Sequence, residues 1–341
     1  MVKVLIADDS LLTRMVLRDL LAKDPEINVI AEVSDGRQAV AETDRLRPDL
    51  VIMDVLMPVM DGLEAVTEIM ASCPTPILVL SANVDPTDSR SAFSAIQRGA
   101  LDVMEKPQGV AAEAFEEIAA RLVEKVKFLA RVKVIHHFRR QRPPLPESTP
   151  ISTRPRDILA IGASTGGPKA VMRLTKEIPR DSRAKVLIVQ HIARGFAAGF
   201  AEWLDRESLL RVRLACDGDA LEAGVALVAP NNVHMEVRGE RICLVETPPV
   251  NCCRPSVDVL FRSLADNSLA PAVVAVLLTG MGRDGADGMA ALKSRGSYTI
   301  AQDETSSAVF GMPKAAIALG AVDQTLPLAD IPAALAQLLR H

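Results

Sequence analysis

The sequence predicts an α/β protein built from two parallel-sheet units, and three observations predict it. Short apolar runs alternate with amphipathic helical stretches along most of the chain. A basic, proline-rich segment breaks that alternation near the middle. The 341 residues also exceed the roughly 100–150 of a common single domain, and 49% hydrophobic with 24% charged residues supply enough apolar side chains for two cores.

In the first unit, residues 2–7, 29–33, 50–53, 77–80 and 102–104 read as strands. Between them Leu12, Met15, Val16 and Leu20, then Ala39, Val40 and Leu46, recur at helical spacing, so the order is (βα)5 with a parallel sheet covered on both faces. A fifth helix begins near Ala112 and continues through Phe115, Ile118, Leu122 and Val126. It dissolves into residues 138–148, which are proline-rich and polar and have the composition of a linker. No acidic residue lies between Lys125 and Pro146; a solvated linker accounts for this and no partner is assigned to it. The expected boundaries are 1–126 for the first unit, 127–156 for the linker and 157–341 for the second unit.

The second unit has strands near 158–161, 185–190, 273–278 and 298–301, with helices after several of them. This is a Rossmann-like, doubly wound α/β pattern. Between Val212 and Leu244 the elements become short and β-rich, with turn markers at Gly218, Gly224, Pro230-Asn231-Asn232 and Gly239, and a β-hairpin insertion beside the main sheet is expected. No sequence repeat relates the two halves.

Composition narrows the function classes. A net charge of −4 argues against general affinity for nucleic acid. The longest apolar stretch, 271–278, is far shorter than the roughly 20 residues of a spanning helix, so no membrane insertion is expected. The amino-terminal run turns acidic at Asp8-Asp9, too early for a signal-peptide core. Cysteines at 73, 216, 243, 252 and 253 lack the spacing of a zinc motif or a disulfide framework. A reducing, cytoplasmic setting is expected.

Two groups of residues carry chemistry. Asp8 and Asp9 end the first strand, Asp54 the third, Ser81 follows the fourth and Lys106 the fifth. The carboxyl ends of parallel strands converge on one crevice. Clustered carboxylates need a cation, and hard oxygen donors with an open side suit Mg²⁺. Lys106 then offers a positive charge to an incoming phosphoryl group, Ser81 a hydroxyl, and Asp54 a nucleophilic carboxylate. Solvated strand-end acids would explain any one of these residues, but poorly explain the whole set with Met57-Pro58 and Asp61-Gly62 close behind.

In the second unit, Gly162-Ala163-Ser164-Thr165-Gly166 follows a strand and precedes Pro168. The G-x-S-x-G spacing presents a serine on a sharp turn, although glycine-rich turns also serve phosphate binding and helix packing. A nucleophilic serine needs a base and the base needs an orienting group. His191 closes the strand at 185–190 and Asp284 follows that at 273–278, so all three would face one crevice. The order Ser, His, Asp differs from that of the α/β-hydrolases. Taken singly, His191 also reads as a core histidine and Asp284 as a turn acid. Gly280-Met281-Gly282-Arg283-Asp284-Gly285 also fits G-x-G-x-x-G, with Asp303-Glu304 near the next strand end, which leaves a non-enzymatic nucleotide- or partner-binding module as the alternative. His136, His137, His234 and His341 are weaker candidates.

Asp8-Asp9-Ser10, Met53-Asp54-Val55-Leu56-Met57-Pro58, Asp61-Gly62, Ser81-Ala82 and Lys106-Pro107 resemble a response-regulator receiver domain across the whole first unit. The resemblance implies that Asp54 is phosphorylated by a histidine kinase, that Asp8, Asp9 and Asp54 hold Mg²⁺, and that Ser81 and Lys106 contact the phosphoryl group. Val103 departs from it, standing where many receivers carry an aromatic switch residue. The second unit resembles the catalytic domain of the CheB family of chemotaxis protein-glutamate methylesterases, through 161–168, Val189-Gln190-His191, Ala229-Pro230, His234-Met235, 254–261, 278–285 and 310–314. That resemblance implies a phosphorylation-activated serine esterase that needs no cofactor of its own. It would demethylate glutamate γ-methyl esters, and deamidate glutamines, on methyl-accepting chemoreceptors. Ser164 would be the nucleophile, His191 the base, Asp284 its orienter and the Met281 backbone N–H an oxyanion donor. Cys252-Cys253 precedes Arg254 where relatives often carry a basic residue or histidine.

Overall fold

The computed structural model describes residues 1–81, 86–107, 112–132, 156–179 and 182–339. Most of the expected linker, with His136 and His137, lies outside the described residues, as do Ala82 and His341.

In the first unit β1 (Val2–Ala7), β2 (Ile27–Val33), β3 (Leu50–Asp54), β4 (Ile77–Ser81) and β5 (Asp102–Glu105) alternate with α1 (Leu11–Leu21), α2 (Gly36–Leu46), α3 (Gly62–Ser72), α4 (Pro86–Arg98) and α5 (Ala112–Leu129). The parallel sheet has the order β2-β1-β3-β4-β5, which places its topological switch between β1 and β3. Helix starts are encoded locally: the Ser10, Asp35 and Asp61 side chains accept the backbone N–H groups of Thr13, Gln38 and Glu64, satisfying donors that have no partner inside the helix.

Alternation along the strands divides the core. Leu5, Val51, Met53 and Val79 face the layer that holds α2, α3 and α4, whereas Val4, Ile6, Leu50, Ile52 and Leu78 face α1 and α5. Helix α1 uses a different face from the one its apolar spacing first suggests. Thr13, Leu17, Leu20 and Leu21 are buried, while Leu12 and Met15 are 67% and 41% exposed. The helix carries apolar residues on more than one stripe, and the stripe through Leu17 and Leu21 is the one turned to the sheet.

The second unit contains β6 (Ile158–Ala163), α6 (Gly167–Glu177), β7 (Lys185–Gln190), α7 (Phe196–Glu207), β8 (Arg211–Leu214), β9 (Val225–Val228), β10 (His234–Arg238), β11 (Arg241–Val245), α8 (Val257–Ala265), β12 (Val273–Leu277), α9 (Ala286–Ser294), β13 (Tyr298–Gln302), α10 (Met312–Ala318), β14 (Gln324–Leu326) and α11 (Ile331–Leu338). Seven strands form one parallel sheet, β14-β13-β12-β6-β7-β9-β8. The expected hairpin insertion is therefore smaller than the β-rich stretch: β10 and β11 pair antiparallel, but β8 and β9 extend the main sheet. Val225–Val228 is buried at every position, the pattern of a parallel strand covered on both faces.

The units meet through α4 and α7. Phe93 of α4 stacks on Trp203 of α7, with ring centroids 5.5 Å apart and 15° between planes, and also contacts Phe196 and Phe200. All four rings are buried, so one apolar cluster runs from the first sheet's face to the second's. At its exposed margin Arg90 pairs with Glu202 at 3.2 Å.

Candidate active site

The switch between β12 and β6 places the ends of β6, β12 and β7 side by side, and Ser164, Asp284 and His191 follow them. Gly166, at φ 74°, and Pro168 begin α6 directly after Ser164, which makes the strand-to-helix turn sharp. Gly280 lets β12's following loop approach: a Cβ there would lie 2.8 Å from Ser164 Cβ. Gly285, at φ 89°, turns the chain into α9 where a Cβ would meet Leu277 and Val257 at 2.7 Å.

His191 and Asp284 are brought into direct contact, with Nε2 2.9 Å from Oδ2. A carboxylate only accepts, so Nε2 donates, and Nδ1 is the ring nitrogen left for other work. Asp284 is 2% exposed and accepts four further hydrogen bonds. Ser256 Oγ (2.6 Å), Asn251 Nδ2 (3.0 Å) and the backbone N–H groups of Val257 (2.6 Å) and Asp258 (3.2 Å) all donate to it. The last two belong to the first turn of α8, whose positive end favours an anion.

Burial alone would raise the Asp284 pKa, but the His191 bond and charge, with Ser256 and Asn251, bring it down to about 2. For His191 burial works downward; the Asp284 bond, the Cys253 thiol and the neighbouring charges outweigh it and raise the ring to about 10. Cys253 Sγ lies 3.6 Å from His191 Nδ1.

Ser164 adjoins this pair without bonding to it. Among the described residues its hydroxyl makes no hydrogen bond, although His191 N–H donates to Ala163 O at 2.9 Å. Gln190 Nε2 also donates to both Ser164 O (2.8 Å) and His191 O (2.9 Å). Open nucleophile–base distances are common before substrate arrives. The Met281 N–H has no acceptor among the described residues, as an oxyanion donor requires.

Several positioning residues escaped the sequence reading. Ser256 lay inside a quoted motif without a role, and Asn251 carried no signal at all. His234, expected to be a weak candidate, is fully buried: its Nδ1 accepts from Ser256 N–H and its Nε2 bonds Pro248 O. It fixes the residue that fixes Asp284. The glycine-rich turn 280–285 offers no phosphate cradle at Asp284, because that carboxylate is buried and already held by five donors.

In the first unit Lys106 Nζ bridges Asp8 Oδ2 and Asp54 Oδ2, each at 2.7 Å. Asp54 Oδ1 accepts Val55 N–H at 2.7 Å, and Asp8 Oδ1 accepts Ser10 N–H at 2.9 Å. Burial, joined by the Asp8 charge, raises the Asp54 pKa against the lowering by Lys106 and the Val55 N–H. For Lys106, burial is overturned by its two carboxylate partners and the pKa is raised. Asp8, Asp9 and Asp54 each offer an oxygen within 4.8 Å of the others, Asp9 from the exposed side. All-oxygen donors with an open side fit Mg²⁺. Ser81 is buried, with its backbone carbonyl accepting Lys106 N–H at 2.9 Å. Val103 is buried in the same core layer as Phe93.

Residues 159–335 match the CheB methylesterase family, and residues 4–117 match the response regulator receiver domain. The chain belongs to the CheB methylesterase family. A protein-glutamate methylesterase/protein-glutamine glutaminase 2 of Anaeromyxobacter dehalogenans is 46% identical over 340 residues, 99% of this chain and 97% of its own length. Protein-glutamate methylesterase/protein-glutamine glutaminase 4 of Geobacter metallireducens is 46% identical over 345 residues, 99% of either chain. The crystal structure of the Thermotoga maritima CheB methylesterase catalytic domain superposes with a TM-score of 0.51 at 34% identity, over 54% of this chain and 98% of that domain. Among the described residues no helix is long and apolar enough to cross a membrane.

Proposed function

We propose that this CheB family member is a phosphorylation-activated serine esterase. It hydrolyses glutamate γ-methyl esters, and glutamine side-chain amides, on methyl-accepting chemoreceptors. The observation that carries the reading is the His191–Asp284 pair at 2.9 Å, set beside Ser164 at converging strand ends in a chain that also carries a receiver. The regulatory part runs past the expected boundary at 126 to the end of α5 at Leu129, whose side chain is buried in the first core; the rest of 127–156 is the linker and 157–341 the catalytic part.

Ser164 Oγ attacks the ester carbonyl, and its proton passes to His191 Nδ1, the nitrogen Asp284 leaves open. Asp284 holds the ring and stabilises the imidazolium. The Met281 N–H faces the charge that develops on the carbonyl oxygen. His191 returns the proton to the departing methoxide, and methanol leaves. Water, deprotonated by the same ring, then cleaves the acyl-enzyme and releases glutamate. With glutamine the leaving group is ammonia.

In the receiver, Asp54 accepts phosphate from a histidine kinase, and Ser81 and Lys106 contact the phosphoryl oxygens. Asp8, Asp9 and Asp54 would hold Mg²⁺, which when bound offsets the charge of the transferring group. Lys106 must leave its present bridge to do so, a local charge change able to bias a two-state interface. Replacing Ser164 with Ala should abolish methanol release from methylated receptor membranes; release at the parent rate would overturn the assignment. Deleting residues 1–150 should raise basal activity, and an unchanged rate would argue against receiver gating.

A further inference from the structure

The mechanism gives Cys253 no task, yet its sulfur sits against the ring nitrogen that must take the serine proton. We propose that Cys253 Sγ and His191 Nδ1 form a binding site for a thiophilic divalent cation, Zn²⁺ foremost, and that occupancy switches the esterase off. The inhibitory part rests on the esterase reading above; the binding part does not.

Distance supports the site. Zinc bonds of about 2.3 Å to sulfur and about 2.0–2.1 Å to nitrogen, at a tetrahedral angle, span an S···N edge of about 3.5 Å. The observed separation is 3.6 Å, so both ligands already stand at the required spacing. The ring is oriented for it as well. Zinc-binding histidines usually donate their second N–H to a carboxylate, and His191 Nε2 does so to Asp284 Oδ2 at 2.9 Å. Asp284 is in turn pinned by Ser256, Asn251 and α8. His191, Cys253 and Asp284 each bring a possible ligand atom within 4.8 Å of the others; with Asp284 bonded to Nε2, the protein supplies two ligands, Sγ and Nδ1.

The site keeps a narrow solvent edge: the His191 side chain is 14% exposed and Cys253 is half-buried. Solvent completes the coordination sphere. On binding, Cys253 Sγ and His191 Nδ1 each give up the proton they carry to solvent, an S–Zn bond forms and the freed Nδ1 lone pair is donated to the metal. Nothing is oxidised or reduced. His191 can then no longer accept the Ser164 proton, and attack stops.

The test uses the full chain, reduced with a phosphine and stripped of metal. Cobalt(II) added to this protein should give a thiolate-to-cobalt charge-transfer band that Zn²⁺ abolishes. The band should vanish in Cys253→Ser and in His191→Ala and persist in Cys252→Ser. Zn²⁺ should inhibit methanol release, scaled to each variant's own metal-free rate, with a midpoint at least tenfold higher in Cys253→Ser. A band that survives Cys253→Ser, or equal midpoints, would overturn the proposal. Absence of methanol release from the metal-free parent would instead count against the esterase reading, while the cobalt band still decides the site.

Discussion

On the proposed mechanism, His191 sets how the reaction depends on pH. Base catalysis needs the neutral ring, and a pKa held above the ordinary 6.5 by Asp284 and Cys253 delays its appearance to higher pH. With a chelator present, kcat/KM for methyl-ester hydrolysis should climb with pH along a limb displaced above 6.5. Cys253→Ala should move that limb downward. A limb at or below 6.5 in the parent would show that these partners do not hold the proton. The same shift couples to stability. Because the folded value exceeds the unfolded one, the His191 contribution is complete below 6.5 and is lost as pH rises through about 10. That of Asp284 is complete above 3.8 and is lost as pH falls through about 2. At this scale the candidate residues Ser164, His191, Asp284 and Asp54 stand out in the sequence because each lies at or just after the end of a strand whose apolar run marks it. Asn251 and Cys253 were not, because they lie in an irregular loop with no periodicity to place them.

Helix α8 shows how an element that carries none of the proposed triad residues can position one of them, Asp284. Ser256 precedes the helix and its side chain caps none of the first-turn N–H groups; its hydroxyl is spent on Asp284 at 2.6 Å, while the N–H groups of Val257 and Asp258 reach the same carboxylate. Hydrogen bonds to a charged group contribute about 1.5–3 kcal/mol. Ser256→Ala should therefore lower unfolding free energy by about that amount and reduce kcat more than it changes KM. Ser256→Thr, which keeps the hydroxyl, should restore part of kcat. Denaturant melts with steady-state kinetics check this, and a purely structural role would leave the stability loss without the kcat effect. Strands were the most readable elements, since buried parallel strands are continuous apolar runs. Helix α1 was harder, as redundant apolar stripes satisfy one period in two ways. Strands β8 and β9 were misread as insertion because short strands divided by glycine turns look alike whether they pair in a hairpin or join a sheet edge.

Across the molecule, the α4–α7 contact is the candidate route between the two sites. Helix α4 follows β4, which ends at Ser81, and α7 begins five residues after His191 at Phe196; the two helices meet at Phe93 and Trp203. No pattern in the sequence announced this contact, because Phe93 and the α7 aromatics read equally well as residues of their own domain cores. On the gating proposed above, a phosphoryl group that draws Ser81 and Lys106 inward would shift α4, and a shift of α4 relative to α7 would disturb the stack of Phe93 on Trp203. Truncating a buried phenylalanine costs about 3–5 kcal/mol, so Phe93→Ala should weaken the closed arrangement far more than loss of the exposed Arg90–Glu202 pair, whose kind contributes about 0–1 kcal/mol. The expected outcome is higher basal methanol release and a smaller stimulation by a small phosphodonor, while Arg90→Ala changes both only slightly. Equal basal rates in Phe93→Ala and the parent, with stimulation intact, would mean that the phosphorylation signal reaches Ser164 by another route.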